Sequence, residues 1–169
     1  MYTRAFSSAS LLVAAVFASG AVCSQSVSTV EEVMVGVSTQ SNRLDQALSK
    51  LGQIEKRLHG TDAGRVDEVA KAGRQFTGAV SEATPVGLIL RHMKHPDDVH
   101  FAQVILAVSA SKAVLVGDAD TAIINRYLPH IATPEAAAES AKIRDAIVAT
   151  RNLLEVFAHT PELTAAASR

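Results

Sequence analysis

The chain has no tryptophan, a single cysteine and few aromatic residues. The cysteine, Cys23, lies near the start of the 169 residues, so no intrachain disulfide can form and any core must hold by packing alone. Beyond that point the aromatic residues are Phe76, Phe101, Tyr127 and Phe157. Sugar-binding sites commonly stack their ligands on exposed rings, so the scarcity argues against a lectin. Charge of one sign is also lacking, with a formal net charge of −1. A nucleic acid or an anionic membrane calls for a basic field, and neither is expected as a partner here. Asn42, Asn125 and Asn152 all lie outside an Asn-x-Ser/Thr sequon. GxSxG, HExxH and a Gly-rich phosphate loop are missing as well, which leaves an enzyme or a bound cofactor without a motif to support it.

What is present begins with a leader. A basic start at Arg4 is followed by the apolar run Leu11 to Val16 and by the small residues of Ala18-Ser19-Gly20-Ala21-Val22-Cys23. That order reads as a cleavable secretory signal over residues 1–23 and predicts a secreted or cell-wall protein, periplasmic in a bacterium. Cys23 is also the kind of residue that is lipidated in bacterial lipoproteins, but Val22 before it is unlike the usual Gly, Ala or Ser. Removing the leader takes away one positive charge, Arg4, and leaves about 145 residues, enough for one domain with a self-sufficient core. A helical domain is expected over 24–160, with a polar tail over 161–169.

The periodicity is helical throughout. Val30, Val37, Leu44, Leu51 and Leu58 recur every seven residues and predict a long helix over about 27–58, with a coiled-coil-like seam and a weak centre at 38–43. Asp62 is placed to cap a second helix over about 62–82, weakened by Gly73 and Gly78 unless those glycines admit a neighbouring helix. Thr84-Pro85 reads as the start of a short helix that stops before Pro96. Asp97 or Asp98 would cap the next, Val99 to Gly117, whose only certain charge is Lys112. Apolar residues nearly all round it predict a central helix buried on several sides. Gln103, Ser109, Ser111 and Lys112 interrupt it too often for a good transmembrane span. A second short helix over 118–128 ends at Pro129, and Thr133-Pro134 announces a last long helix over 136–158. No segment alternates at period two. The expected fold is all-α, an antiparallel bundle of about four main helices plus two short ones.

Three features are candidates for chemistry. His92, His95 and His100, with Asp97 and Asp98, make up the one concentration of metal-ligating side chains, but a polar helix connection explains them equally and no metal is assigned. Lys112 is either a head-group contact or a lysine reaching from an apolar face to solvent. Glu31-Glu32 and Asp97-Asp98 are sequence neighbours pointing about 100° apart on a helix, unsuited to acid/base pairing. The remaining candidate is aliphatic: Phe101, Ile105, Val108, Lys112 and Leu115 as the lining of a lipid groove.

The order of segments also resembles a known family. A core of Ser38, Gln40, Leu44, Asp45 and Ala47 is followed by a stretch reading HGTDAGRVDEVAKAGRQFTGAVSEAT and ends in His159-Thr160-Pro161-Glu162-Leu163. This is similar to the fungal hydrophobic surface binding protein A family, which includes antigenic cell-wall galactomannoproteins. The likeness covers most of the chain after the leader, but in degenerate, alanine-rich patterns. It departs from the family in its histidine-rich connection at 92–100 and its higher charge content. The resemblance implies an all-helical, secreted or wall-associated protein that binds lipids or hydrophobic surfaces, and it transfers no catalytic residue.

Two functions follow as expectations. One is a non-enzymatic binder of lipid or a hydrophobic surface. The other is an exported or periplasmic assembly or adaptor protein that pairs with a partner helix through the 30–58 seam. An enclosed apolar cavity beside 99–117 favours the first, and an exposed stripe along Val30, Val37, Leu44 and Leu51 favours the second.

Overall fold

A computed structural model describes residues 23–158, with side chains from residue 30 onward except that of Arg91. All but the last residue of the expected 1–23 leader, the expected tail and the His159–Leu163 part of the resemblance lie outside the described residues. The expected all-α bundle is what forms. Its helices are α1 (Cys23–Glu55), α2 (Thr61–Ile89), α3 (Pro96–Tyr127) and α4 (Pro134–Ala158). Two single 3-10 turns, Leu90–His92 and Leu128–His130, link α2 to α3 and α3 to α4. Among the described residues there is no strand.

Each helix runs antiparallel to the next. Gly87 lies against Met34, Gly117 against Phe76, and Asp118 pairs with Arg151. Both α1 and α3 pack on α2 and α4, while α2 and α4 also meet across the diagonal. Among the described residues α1 and α3 make no close backbone approach. The helix expected to be central is therefore a corner helix, supported from two sides only.

The heptad seam of α1 is consumed inside the chain. Met34, Val37, Leu44, Ala47 and Leu51 are buried, with Val30 and Leu58 half-buried at its ends. The polar stretch at 38–43 does not break α1, because Val37 and Leu44 are buried on either side of it. Gly60, at φ 70°, then turns the chain into α2, a backbone conformation that suits glycine and few other residues.

The two short helices expected from the sequence merge into longer ones. Pro85 lies inside α2, and Thr84, read as its cap, instead donates its hydroxyl to the Val80 carbonyl at 3.1 Å. Proline removes one backbone donor and crowds the preceding turn. Burial carries the helix across: Val80, Ala83 and Gly87 continue one inward face, and a methyl placed on Gly87 would lie 2.6 Å from Met34 Sδ. The expected break at Gly117-Asp118 is absent for the same reason. A methyl on Gly117 would meet Phe76 Cε2 at 2.9 Å and Arg151 Cβ at 3.2 Å, so this glycine lets three helices converge. At the start of α3 the aspartates do not cap. Pro96 takes the first turn after His95, and Asp97 and Asp98 follow within it, favourably placed near the helix's positive end.

Asp62 also has a different role from the cap expected of it. Its carboxylate accepts the backbone N–H groups of Ala132 at 3.1 Å and Thr133 at 3.0 Å, and the Thr133 hydroxyl at 3.0 Å. The Ala132 bond contributes most to holding its pKa below the ordinary carboxylate value. Asp62 thereby ties the first turn of α2 to the chain leading into α4. Arg65 supports the junction by bonding Asp62 at 3.3 Å and the His130 carbonyl.

Two polar core groups among the described residues, Asp120 and Ser140, lack any such arrangement. Asp120 of α3 is 0% exposed, and neither carboxylate oxygen has a hydrogen-bond partner. Burial pushes its pKa from 3.8 up to about 6. The folded protein thus holds this proton more tightly than the unfolded chain does. The associated stability is complete below about pH 4 and is lost as the pH rises through about 6.

Two pairs of measurements check this packing. Gly117→Ala should destabilise the protein by about 1–3 kcal/mol through overpacking despite alanine's better helix propensity. Gly78 has no atom within 4 Å of the position a methyl would take, so Gly78→Ala should stabilise by about 0.5–1 kcal/mol. Asp120→Asn replaces a buried charge with a neutral amide and should raise stability at pH 7.5 by about 1–3 kcal/mol. In thermal melts, the gap between the Asn variant and the wild type should open between about pH 4 and pH 6 and stay constant above.

Candidate functional site on the outer face of α3

The inward face of α3 is built largely from small side chains. Ala102, Ala107, Ala110, Ala113 and Gly117 are buried there, with Leu106, Val114 and Ile124 as the larger members. Several of its large apolar residues stand on the other side. Phe101 is 67%, Val108 54% and Leu115 71% exposed, each seven residues from the next and so on one side of the helix. Ile105 is half-buried between the first two. Four of the five residues expected to line an apolar groove therefore form an exterior stripe. The helix from Pro96 to His130 has the length and apolar composition to cross a membrane, yet only a third of its most apolar stretch is buried in the bundle. Exposed Leu88 and Ile89 close α2 just before the turn into α3.

Lys112, the fifth expected residue, is exposed and held by a neighbour. Its ammonium donates to both oxygens of Glu82 on α2, at 2.7 and 2.8 Å. This partner, thirty residues away, was not foreseen from the sequence. Further along, Arg151 of α4 donates to Asp118 at 3.0 Å and to Glu155. The Asp118 bond is the main cause holding the Arg151 guanidinium protonated more firmly than usual. Within Val99 to Gly117 the one certain charge is thus neutralised, and the stripe between Phe101 and Leu115 is apolar apart from that pair.

His92, His95 and His100 are exposed around the turn between α2 and α3. His95 Nδ1 lies 3.7 Å from Asp97 Oδ2, both well exposed. Among the described residues no three His, Cys, Asp or Glu side chains converge as a metal site would require.

A second feature appears only in three dimensions. Between α1 and α4 lies an open groove of about 460 Å³, walled by Arg43 and Lys50 on one side and Glu139, Lys142 and Asp145 on the other. Sequence reading missed it because its residues come from helices about a hundred positions apart. It likewise missed Asp120, although that residue continues the inward register of Ala113 and Gly117 at three- and four-residue steps. Comparison with protein-family models, curated proteins and solved structures returns no match.

Proposed function

We propose that this chain is a secreted, non-enzymatic helical protein that binds a lipid or hydrophobic surface through the outer face of α3, with a cell-wall location in keeping with that role. The observation that carries this reading is the line of Phe101, Val108 and Leu115, exposed at seven-residue spacing. Isolated exposed apolar residues are ordinary on soluble proteins, but an aligned row of large ones marks a contact surface. A partner helix is less suited to it. Helix pairing is normally steered by unpaired charges flanking the apolar seam, and here Lys112 is already committed to Glu82. A fluid or extended apolar surface needs no such register. α3 would lie along that surface rather than cross it, because its buried face, from Ala102 to Ile124, packs against α2 and α4.

The leader and the resemblance to hydrophobic surface binding proteins support the same reading. The assembly reading depended on an exposed seam along α1, and Val37, Leu44 and Leu51 are buried against their own chain.

The test is partitioning onto neutral phosphatidylcholine vesicles, together with binding of a fluorescent fatty acid. Replacing Phe101, Val108 and Leu115 by Ser removes apolar groups worth about 1 kcal/mol each on partial insertion, so affinity should fall on the order of a hundredfold. The melting temperature should barely move, since all three are exposed. A wild-type protein that neither floats with the vesicles nor takes up the fatty acid overturns the proposal.

A further inference from the structure

Size and charge along the outer face of α3 are arranged symmetrically about its middle. Phe101, Val108, Leu115 and Ala122 follow one another at seven-residue steps, and all four are exposed. One turn beyond Phe101 stands Asp97, in the first turn of the helix. One turn beyond Ala122 stands Arg126, in the last, and both are exposed on the same side. These six residues are evenly placed about a point between Ser111 and Lys112. Two such helices laid antiparallel around a two-fold axis at that point bring three complementary pairs together at once. Phe101 meets the partner's Ala122, large against small, and Val108 meets the partner's Leu115. Asp97 meets the partner's Arg126, anion against cation. A two-fold contact is made by the same patch on both molecules, so each pair occurs twice.

The charges at both ends of the face are available. Arg126 makes no hydrogen bond or ion pair among the described residues. The Asp97 side chain is 93% exposed, and His95 Nδ1, at 3.7 Å, is outside hydrogen-bond range. The middle is neutral, because Lys112 reaches the axis with its ammonium already on Glu82. Half-buried Ile105 and exposed Ala119 continue the apolar surface between the ends. A foreign helix has to match both the apolar spacing and the end charges, whereas a second copy matches them by construction.

We propose that in solution a second copy of this chain covers the face, the two molecules pairing antiparallel through α3 with Asp97 of each on the partner's Arg126. The contact is one helix wide and about 30 Å long between Phe101 and Ala122. That is far smaller than an obligate interface, so the pair forms reversibly with a dissociation constant on the order of 10 µM. Pairing hides the apolar row from water, and an apolar surface has to displace the partner to reach it. The inference concerns what covers the face without lipid and does not rest on the surface-binding reading.

Sedimentation equilibrium of the full protein, free of lipid and at low salt, tests it. Between about 1 and 200 µM the average mass should rise from one copy toward two. Asp97→Arg and Arg126→Asp should each weaken pairing about tenfold or more, since each turns two attractive contacts into repulsive ones. The two substitutions together should restore it. Val108→Asp, at an exposed position, should abolish pairing with little change in the melting temperature of the monomer. A protein that stays monomeric up to about 200 µM overturns the inference. If that monomer still floats with phosphatidylcholine vesicles, the lipid surface is the occupant of the face instead. A dimer that ignores the charge reversals, or that the double variant does not restore, uses another face or register and overturns it too. Charge-dependent pairing in a protein that never meets vesicles supports the inference and counts against the surface reading alone.

Discussion

Alanine and glycine set the spacing of this bundle, and the placement of every larger side chain depends on it. Without disulfides, stability rests on how closely the helices approach. At the meeting of α2, α3 and α4 they approach through Gly117, against Phe76 and Arg151. Beside α1, Gly87 and Gly73 receive Met34 and Leu48 in the same way. An interface this tight leaves little room for large side chains from α3, and five of its nine buried residues are alanine or glycine. The helix nevertheless carries Phe101, Val108 and Leu115. With the inside filled, they face outward.

Small residues take much of the inner face of α3 beside Leu106, Val114 and Ile124, while Phe101, Val108 and Leu115 stand outside. A row of exposed apolar side chains costs solubility and contributes nothing to the core. It makes physical sense as a contact surface held rigid by a well-packed inner face. Asp120 qualifies that rigidity. A buried carboxyl without partners weakens the hold on α3 as it ionises, so the helix that carries the stripe is secured less firmly in neutral than in mildly acidic solution.

Much of the fold was legible in the sequence. The heptad of Val37, Leu44 and Leu51 predicted a long helix with an apolar seam, leaving open whether the seam met its own chain or a partner, and the glycines and prolines between helices marked the true turns at Gly60, Pro96 and Pro134. Pro85 and the Gly117-Asp118 pair misled, because local propensity favours a break at each and tertiary packing overrides it. Gly78 and Gly73 look alike in sequence, yet one faces open space and the other Leu48 and Ile143, a difference that only neighbouring helices create. The apolar residues of α3 were identifiable, but not their side of the helix. Where apolar residues run nearly all round, periodicity cannot separate a face of alanines from a face of phenylalanine, valine and leucine. Size does separate them, and close packing assigns the small face to the interior.

The central claim is that the large apolar side chains of α3 meet an apolar phase while its alanine face stays in the bundle. The most direct measurement is methyl NMR of the full helical protein bound to neutral vesicles that carry a spin label in their acyl chains. In that arrangement Ile105, Val108 and Leu115 should broaden strongly, with Leu106, Val114, Ile124 and the α1 seam residues Val37 and Leu44 unaffected. Broadening of the inward residues of α3 to the same degree, or of none of these methyls, would contradict it.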